Sequence, residues 1–409
     1  MRRSLPPVLL VLLLPLQAVP AQPEPLTLDE VLTLGLEHNL QLRAGAEEVA
    51  SLEAAWRAAR LFFNPSVGFE TGSGESYDGS IRRTTRGISL SQPLEYPFSR
   101  RARISMAENE WRAAESAQHS LALDIRYDIT EHYLRILLLA EWGELARSTL
   151  ESFERAHRLV IRRLELGEAR ELEAIKLEVE VMRARTDLSR IEAEQRLTRR
   201  HLDALVGDTL PEAFVPVPVE EFAPIVAMED ELIARALEGH PLIGRSQFEL
   251  TRARDRLRAA RAARIPDPAL TGFLREELHG RIQGLGVTFA LPLFDLGAHR
   301  VAEARSLAEG REYALEALEL ELAAEISILY GRLELAAETI GFFRDGLLHQ
   351  AEESLRIAES SYHGGEISLL DWLDAQRTYS SILTDYHDAL YTWHQNRAAL
   401  ERAVGGEIR

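Results

Sequence analysis

Apolar positions along this chain recur with two different periods. Through most of it they return every three or four residues, the spacing that places them on one face of a helix. Leu172, Ile175, Val179 and Met182 follow a 3-4-3 heptad spacing, and Leu121, Ile125, Ile129, His132 and Ile136 do the same on an earlier segment. Ordinary bundle packing produces the same periodicity. In a few short stretches the period drops to two, as in a half-buried strand. Leu285, Val287, Phe289, Leu291 and Leu293 alternate with Gly284, Gly286, Thr288 and Ala290. Ile88, Leu90 and Leu94 alternate in the same way with Gly87, Ser89 and Ser91, Val67 and Phe69 do so briefly, and "ALTGFLRE" at Ala269 alternates poorly.

The alternating stretches belong to a duplication. "GLGVTFALPLFDLGAHR" at Gly284 matches "TRGISLSQPLEYPFSRR" at Thr85, aligning Gly87 with Gly286, Pro93 with Pro292 and Arg101 with Arg300. "GLEHNLQL" at Gly35 answers "ALEGHPLI" at Ala236, and "FNPSV" at Phe63 answers "PDPAL" at Pro266. "ELGEARELEAIK" at Glu165 answers "HGGEISLLDWLD" at His363, and "LDALVG" at Leu202 answers "LERAVG" at Leu400. These landmarks keep their order at a nearly constant offset, which defines an internal repeat. The first repeat spans 22–210 and the second 225–409, joined by a Pro-rich link at 211–224.

Each repeat reads helix, strand, strand, long helix, helix. Thr27 and Glu30 fit a capping box, and the helix they open is expected to run to about Phe62, where Asn64-Pro65 stops it. Strands are expected at about 65–71, 83–94, 268–276 and 282–293. Long helices are expected at about 99–166, 169–206, 298–363 and 368–404. A helix of that greatest length reaches roughly 100 Å at 1.5 Å per residue. Two shorter helices laid end to end roughly match it, so the pattern predicts paired antiparallel rods, one continuous and one in two pieces.

Composition narrows the function. The chain has 409 residues, a formal net charge of −18 and no Cys, which removes disulfides, thiolate metal sites and cysteine nucleophiles. The acidic balance argues against a nucleic-acid partner. Residues 1–21, with Arg2 and Arg3 before "VLLVLLLPL" and small residues near Ala21, read as a secretory signal peptide. No later segment has the roughly 20 apolar residues of a membrane helix, so membrane insertion requires strands. Apolar outside and small or polar inside is the pattern of a membrane barrel wall, with Ile88, Leu90, Leu285, Val287, Phe289, Leu291 and Leu293 facing lipid; a small soluble sheet would give the weaker strands equally well. Four strands cannot close such a barrel, whose smallest members have about eight. Chains must then share one, and three chains in cyclic symmetry supply twelve strands.

The duplicated order, the two-strand insertions and the tips "LELGEAREL" and "SYHGGEISLLDWLDAQ" resemble the outer membrane efflux proteins, the TolC-like channels, over about Leu26 to Gly405. The resemblance leans towards the short channels of heavy-metal and cation efflux. It implies a homotrimer whose outer-membrane barrel of twelve strands continues as a periplasmic helical barrel of coiled-coil hairpins. It further implies a periplasmic adaptor and an inner-membrane pump of the resistance-nodulation-division type as partners, no cofactor, and a passive gated conduit. Carried over by position, the adaptor-facing tips are Leu166, Gly167 and Glu168, with Gly364, Gly365, Glu366, Ile367 and Ser368. The aperture acids are Asp371 and Asp374, one helical turn apart, and Tyr362 sits where relatives place a gating Tyr. Ile367 stands where some relatives have Arg. Lys176, the only Lys, is expected either to pair with an acid on a neighbouring helix and hold the tip closed or to be a solvated surface charge.

Two other classes compete with the channel. An enzyme would need a motif, and the chain has no P-loop, GxSxG or HExxH; its His residues are scattered without a third ligand nearby. A soluble periplasmic coiled-coil adaptor would carry one hairpin flanked by β-domains, whereas here the hairpins are doubled and the strands lie inside each half.

Overall fold

The computed structural model describes residues 24–76, 79–80, 82–219, 222, 226–277 and 280–408. The expected signal segment 1–21 lies outside the described residues, as does part of the expected link.

The first half runs β1 (Glu24–Leu26), α1 (Leu28–His38), α2 (Leu40–Ala59), β2 (Ser66–Glu75), β3 (Arg82–Pro93), α3 (Pro97–Glu165) and α4 (Glu171–Leu205). After β4 (Phe214–Pro216), the second half repeats the order. It comprises α5 (Glu229–Gly239), α6 (Pro241–Ala262), β5 (Ala269–Glu277), β6 (Gly280–Thr288), α7 (Ala298–Phe342), a π-helical turn at Phe343–Leu347, α8 (Leu348–Gly364) and α9 (Leu369–Val404). The strand pair β1 and β4 is parallel and ties the start of the first half to the stretch after α4. Tyr133 of α3 braces that pair, its hydroxyl donating to the carbonyls of Leu26 at 2.8 Å and Val217 at 2.7 Å.

The opening helix of each half is broken, where the sequence pattern predicts one rod to about Phe62. The Thr27–Glu30 capping box starts α1, but Asn39 leaves the helical region at φ −61°, ψ 124°. Its Oδ1 accepts from the N–H groups of Gln41 and Leu42, and its amide donates to the Leu205 carbonyl at 2.9 Å. An Asn that satisfies a new helix start competes with continuing the old one. His240 makes the matching break in the second half, where Pro241 removes a donor at the first helical position.

The long helices differ between halves. α3 runs unbroken for 69 residues, flanked along its length by α2 and α4. The single helix expected at 298–363 is interrupted in the structure: Gly346 has φ 144° inside the turn that separates α7 from α8, a conformation open only to glycine. α6 and α9 flank this second rod, and both also pack on α3. The lateral order is therefore α2 with α4, then α3, then α6 with α9, then α7 with α8.

Three apolar clusters hold this layer together. One joins α1, α3, α4 and Phe214 around Ile125, Ile129, Tyr133 and Leu202. A second joins α5, α6, α7 and α9 around Ile326, Ile340, Trp393 and Leu400. The third, around Phe153, Leu177, Tyr362 and Trp372, joins α3, α4, α8 and α9 at the far end. The predicted heptad seam of α4 is not part of any of them. Leu172, Ile175, Val179 and Met182 stay 42–60% exposed, because α4 meets α3 through a different stripe, Ala174, Leu177, Ala184 and Ile191.

The four remaining strands form one antiparallel sheet in the order β2-β3-β5-β6. Its hairpin ends point away from the helices. β2 and β6 are its edges, with no further strand on either among the described residues.

Candidate functional site

Two places concentrate the chemistry: the helix reversals at the far end of the rods and the faces of the sheet. At the reversal between α3 and α4, Gly167 has φ 75°. Glu168 N–H donates back to Arg163 O at 2.8 Å and Gly167 N–H to Leu164 O at 3.0 Å. Between α8 and α9, Gly365 has φ 78°, with Glu366 N–H on Ser361 O at 2.8 Å and Gly365 N–H on Tyr362 O at 3.1 Å. Both are the six-to-one, five-to-two closure that glycine permits at a helix end. The sequence-predicted tip residues Leu166, Gly167, Glu168, Gly364, Gly365, Glu366 and Ser368 are all exposed there, and Ile367 tucks against the third apolar cluster.

The two tips are joined within the chain. Arg163 donates to the His363 carbonyl at 3.1 Å. Arg377 of α9 pairs with Glu180 of α4 at 2.6 Å, and the Glu180 side chain is only 13% exposed. Sequence reasoning missed both links, since partners about 200 residues apart leave no local signal.

Ser368 starts α9 with a capping box. Its hydroxyl donates to Asp371 Oδ2 at 2.7 Å and accepts from the Asp371 N–H at 3.3 Å. These bonds to Ser368, side chain first and backbone second, hold the Asp371 carboxyl below its ordinary range. Asp371 is thus an exposed, ionised carboxylate occupied in starting its own helix, while Asp374 is exposed one turn further on.

Tyr362 is not brought onto the surface with these acids. It is 5% exposed, with its ring stacked on Trp372 at 5.3 Å. Burial, and then the charge of Glu173, push its hydroxyl above the ordinary phenol range. Its hydroxyl and the Trp372 indole N–H are both buried without a hydrogen-bond partner among the described residues. The expected gating Tyr is, in this conformation, part of the floor under the tips. Lys176 is exposed on α4 and forms no ion pair among the described residues.

The sheet separates two surfaces by register. Val67 faces Leu90, Phe69 faces Ile88, Ile88 faces Leu274, and Leu270 faces Val287, so these apolar residues share one side. Leu285 lies with them, 82% exposed. The opposite side carries Gly68, Ser89, Thr271, Gly284 and Gly286, together with Glu70 paired to Arg275 at 3.0 Å. Phe273 interrupts this polar side. Its ring lies over Gly284, where an added Cβ would come within 2.7 Å of it. The expected wall residues Phe289, Leu291 and Leu293 fall outside the strand. β6 ends at Thr288 because its partner β5 begins at Ala269, preceded by Pro266 and Pro268. They remain 54–74% exposed on the connection to α7.

Among the described residues no helix is long and apolar enough to cross a membrane, and no group of three or more His, Asp or Glu is placed to hold a metal ion.

A sheet with one apolar face, rising from paired rods whose glycine tips lie at the opposite end, is the arrangement that comparison with known proteins can test. The model of the family described as outer membrane efflux protein matches residues 31–208 and 232–406. The chain belongs to that family. It is 26% identical to the cobalt-zinc-cadmium resistance protein CzcC of Cupriavidus metallidurans, over 93% of this chain and 90% of that protein. It is 24% identical to the cation efflux system protein CusC of Escherichia coli strain K12, over 91% and 84%. Among solved structures, the outer-membrane channel OprN superposes with a TM-score of 0.81 at 18% identity, covering 93% of this chain and 90% of that one. CusC superposes with a TM-score of 0.80 at 18% identity, covering 93% and 92%. The protein is an outer-membrane channel component of a tripartite efflux system, with a large periplasmic part. The family is one of transport proteins.

Proposed function

We propose that three copies of this chain close a single twelve-strand barrel and continue it as a helical tunnel, which conducts cargo passively from an adaptor-bound pump to the exterior. The observation that carries this reading is the agreement of two edges. The sheet ends at β2 and β6, and the helical layer ends at α4 with α2 and at α7 with α8. The α4 edge presents the apolar stripe Leu172, Ile175, Val179 and Met182; the α7 edge presents Tyr313, Leu320, Ile328, Leu335 and Phe342, 55–73% exposed. Unpaired strand edges and unburied apolar stripes on the same two flanks are what a closed ring of copies covers.

In such a ring the tips around Gly167 and Gly365 form the periplasmic end, and an adaptor of the membrane-fusion type docks there. The exposed carboxylates of Asp371 and Asp374, repeated three times, would ring the aperture and favour cations. Adaptor contact would loosen the Arg163–His363 and Arg377–Glu180 links and spread the hairpins. The pump would be of the resistance-nodulation-division type and would select the cargo. Resemblance to CzcC and CusC favours metal cations over larger molecules.

Native mass spectrometry of detergent-extracted protein from isolated outer membranes tests the assembly. A mass of three chains is expected, and a monomer released with the soluble periplasm would overturn it.

A further inference from the structure

The cross-strand register stacks side chains on the apolar side of the sheet into rows. Val67, Leu90, Gly272 and Leu285 make one row; Phe69, Ile88, Leu274 and Gln283 make the next towards the hairpin ends. The row beyond is Thr71, Arg86, Glu276 and Arg281. The apolar surface therefore stops at a line where two guanidiniums flank one carboxylate on neighbouring strands, about 5 Å apart. Arg281 pairs with Glu276 at 3.1 Å, but its side chain remains 85% exposed. Arg86 is exposed and forms no ion pair among the described residues. A groove of about 480 Å³ runs along this line, floored by Phe69, Ile88 and Leu274 and rimmed by Arg86, Glu276 and Arg281.

We propose that this groove binds a lipid headgroup carrying phosphate monoesters in the outer leaflet of the outer membrane. The guanidiniums of Arg86 and Arg281 hold the phosphate oxygens, and the acyl chains lie on Phe69, Ile88 and Leu274. The physical argument has three parts. A charged residue facing hydrocarbon is costly at mid-membrane and tolerated near the interface, so the Arg86–Glu276–Arg281 row marks headgroup depth. The helices are periplasmic, and the row lies on the hairpin side of the apolar rows, so the headgroups it meets are those of the outer leaflet. A single carboxylate cannot satisfy both guanidiniums, and the planar fork of Arg fits phosphate through two parallel hydrogen bonds. Glu276 positions Arg281 and leaves Arg86 to the ligand.

The inference rests on the barrel reading, and the test separates the two. Full-length protein is reconstituted into phosphatidylcholine vesicles with or without a minor fraction of a lipid carrying phosphate monoesters, and flotation and thermal midpoint are recorded. The phosphorylated lipid is expected to raise the midpoint, and inorganic phosphate added to plain phosphatidylcholine vesicles to leave it unchanged. Arg86→Gln combined with Arg281→Gln is expected to float equally well, lose most of the shift, and retain several-fold less phosphorylated lipid through detergent extraction. An equal shift in wild type and variant, or a shift reproduced by inorganic phosphate, would overturn the site. Should the variant not fold, wild type compared on the intact and the dephosphorylated lipid decides, with no difference counting against the site. Protein that floats with neither vesicle would overturn the barrel and the site together.

Discussion

His240 holds in the second half the place that Asn39 holds in the first. Its Nδ1 accepts from the Leu242 N–H at 3.1 Å, and its Nε2 donates to the Arg402 carbonyl at 3.1 Å, so the neutral ring both starts α6 and fastens α9. Burial pushes its pKa below 6.5, against smaller opposing effects from the Arg402 carbonyl, Glu325 and Asp124, while the Arg402 charge adds to the depression. His394, buried beside Arg397, is pushed down to about 4. A base whose folded pKa is depressed binds its proton first in the unfolded chain. The stability it contributes is therefore complete above about pH 6.5 and is lost as pH falls towards the folded pKa. The thermal midpoint is expected to drop between pH 7 and pH 5. His240→Asn, which keeps a capping acceptor and cannot titrate, should flatten part of that drop in a pH series of melting curves. At the tip, Gly365→Ala places a Cβ at φ 78° with an expected cost of roughly 1–2 kcal/mol. Ser368→Ala removes a cap worth about 1 kcal/mol. Faster amide exchange at residues 361–375 would check both. Lys176→Ala should change stability by less than about 0.5 kcal/mol, as chemical denaturation of the extracted protein can show.

At the scale of elements the two halves are copies with one deliberate-looking difference. α3 is continuous through Gly143, whereas the second rod carries the π-helical turn with Gly346 at φ 144° and no buried residue in it. Phe343 rests edge-on against Tyr386 of α9 at 5.9 Å, and the Arg344 guanidinium lies over the Phe222 ring at 5.8 Å, so the turn is held by side-chain contacts rather than by burial. Amides of residues 343–350 should exchange faster than those of the matching stretch of α3, by hydrogen-exchange mass spectrometry. The helices were legible because a 3.6-residue period survives over tens of residues, and so were the glycine reversals, because glycine at a helix end has a specific backbone use. The breaks at Asn39 and His240 were not. Their cause is a contact with the Leu205 and Arg402 carbonyls, each more than 160 residues away. The poorly alternating β5 is a strand because β3 and β6 pair with it on both sides, a reason its own residues do not show.

At the scale of the whole molecule, the proposed trimer would be carried by the exposed stripes on α4 and α7. Met182→Asp is expected to weaken trimer formation while leaving the monomer's own clusters intact, because Met182 is 60% exposed and belongs to none of them. The mass distribution in native mass spectrometry reads this directly. Asp374→Asn should lower cation selectivity in planar-bilayer recordings. Asp371→Asn should also disturb the start of α9, since Asp371 alone of the two accepts from Ser368.

The sequence by itself determined the duplication, the order of elements, the glycine tips and the family, because each is written in local periodicity or in residues that repeat in register. Only the tertiary structure decided which apolar stripe of α4 is core, that Tyr362 lies beneath the tips, and where the wall of β6 ends. Those outcomes depend on which surface of an amphipathic element finds a partner within the chain. In α4 the stripe with small alanines lets the neighbouring rod approach closely, and the larger seam is left outside for another surface to cover.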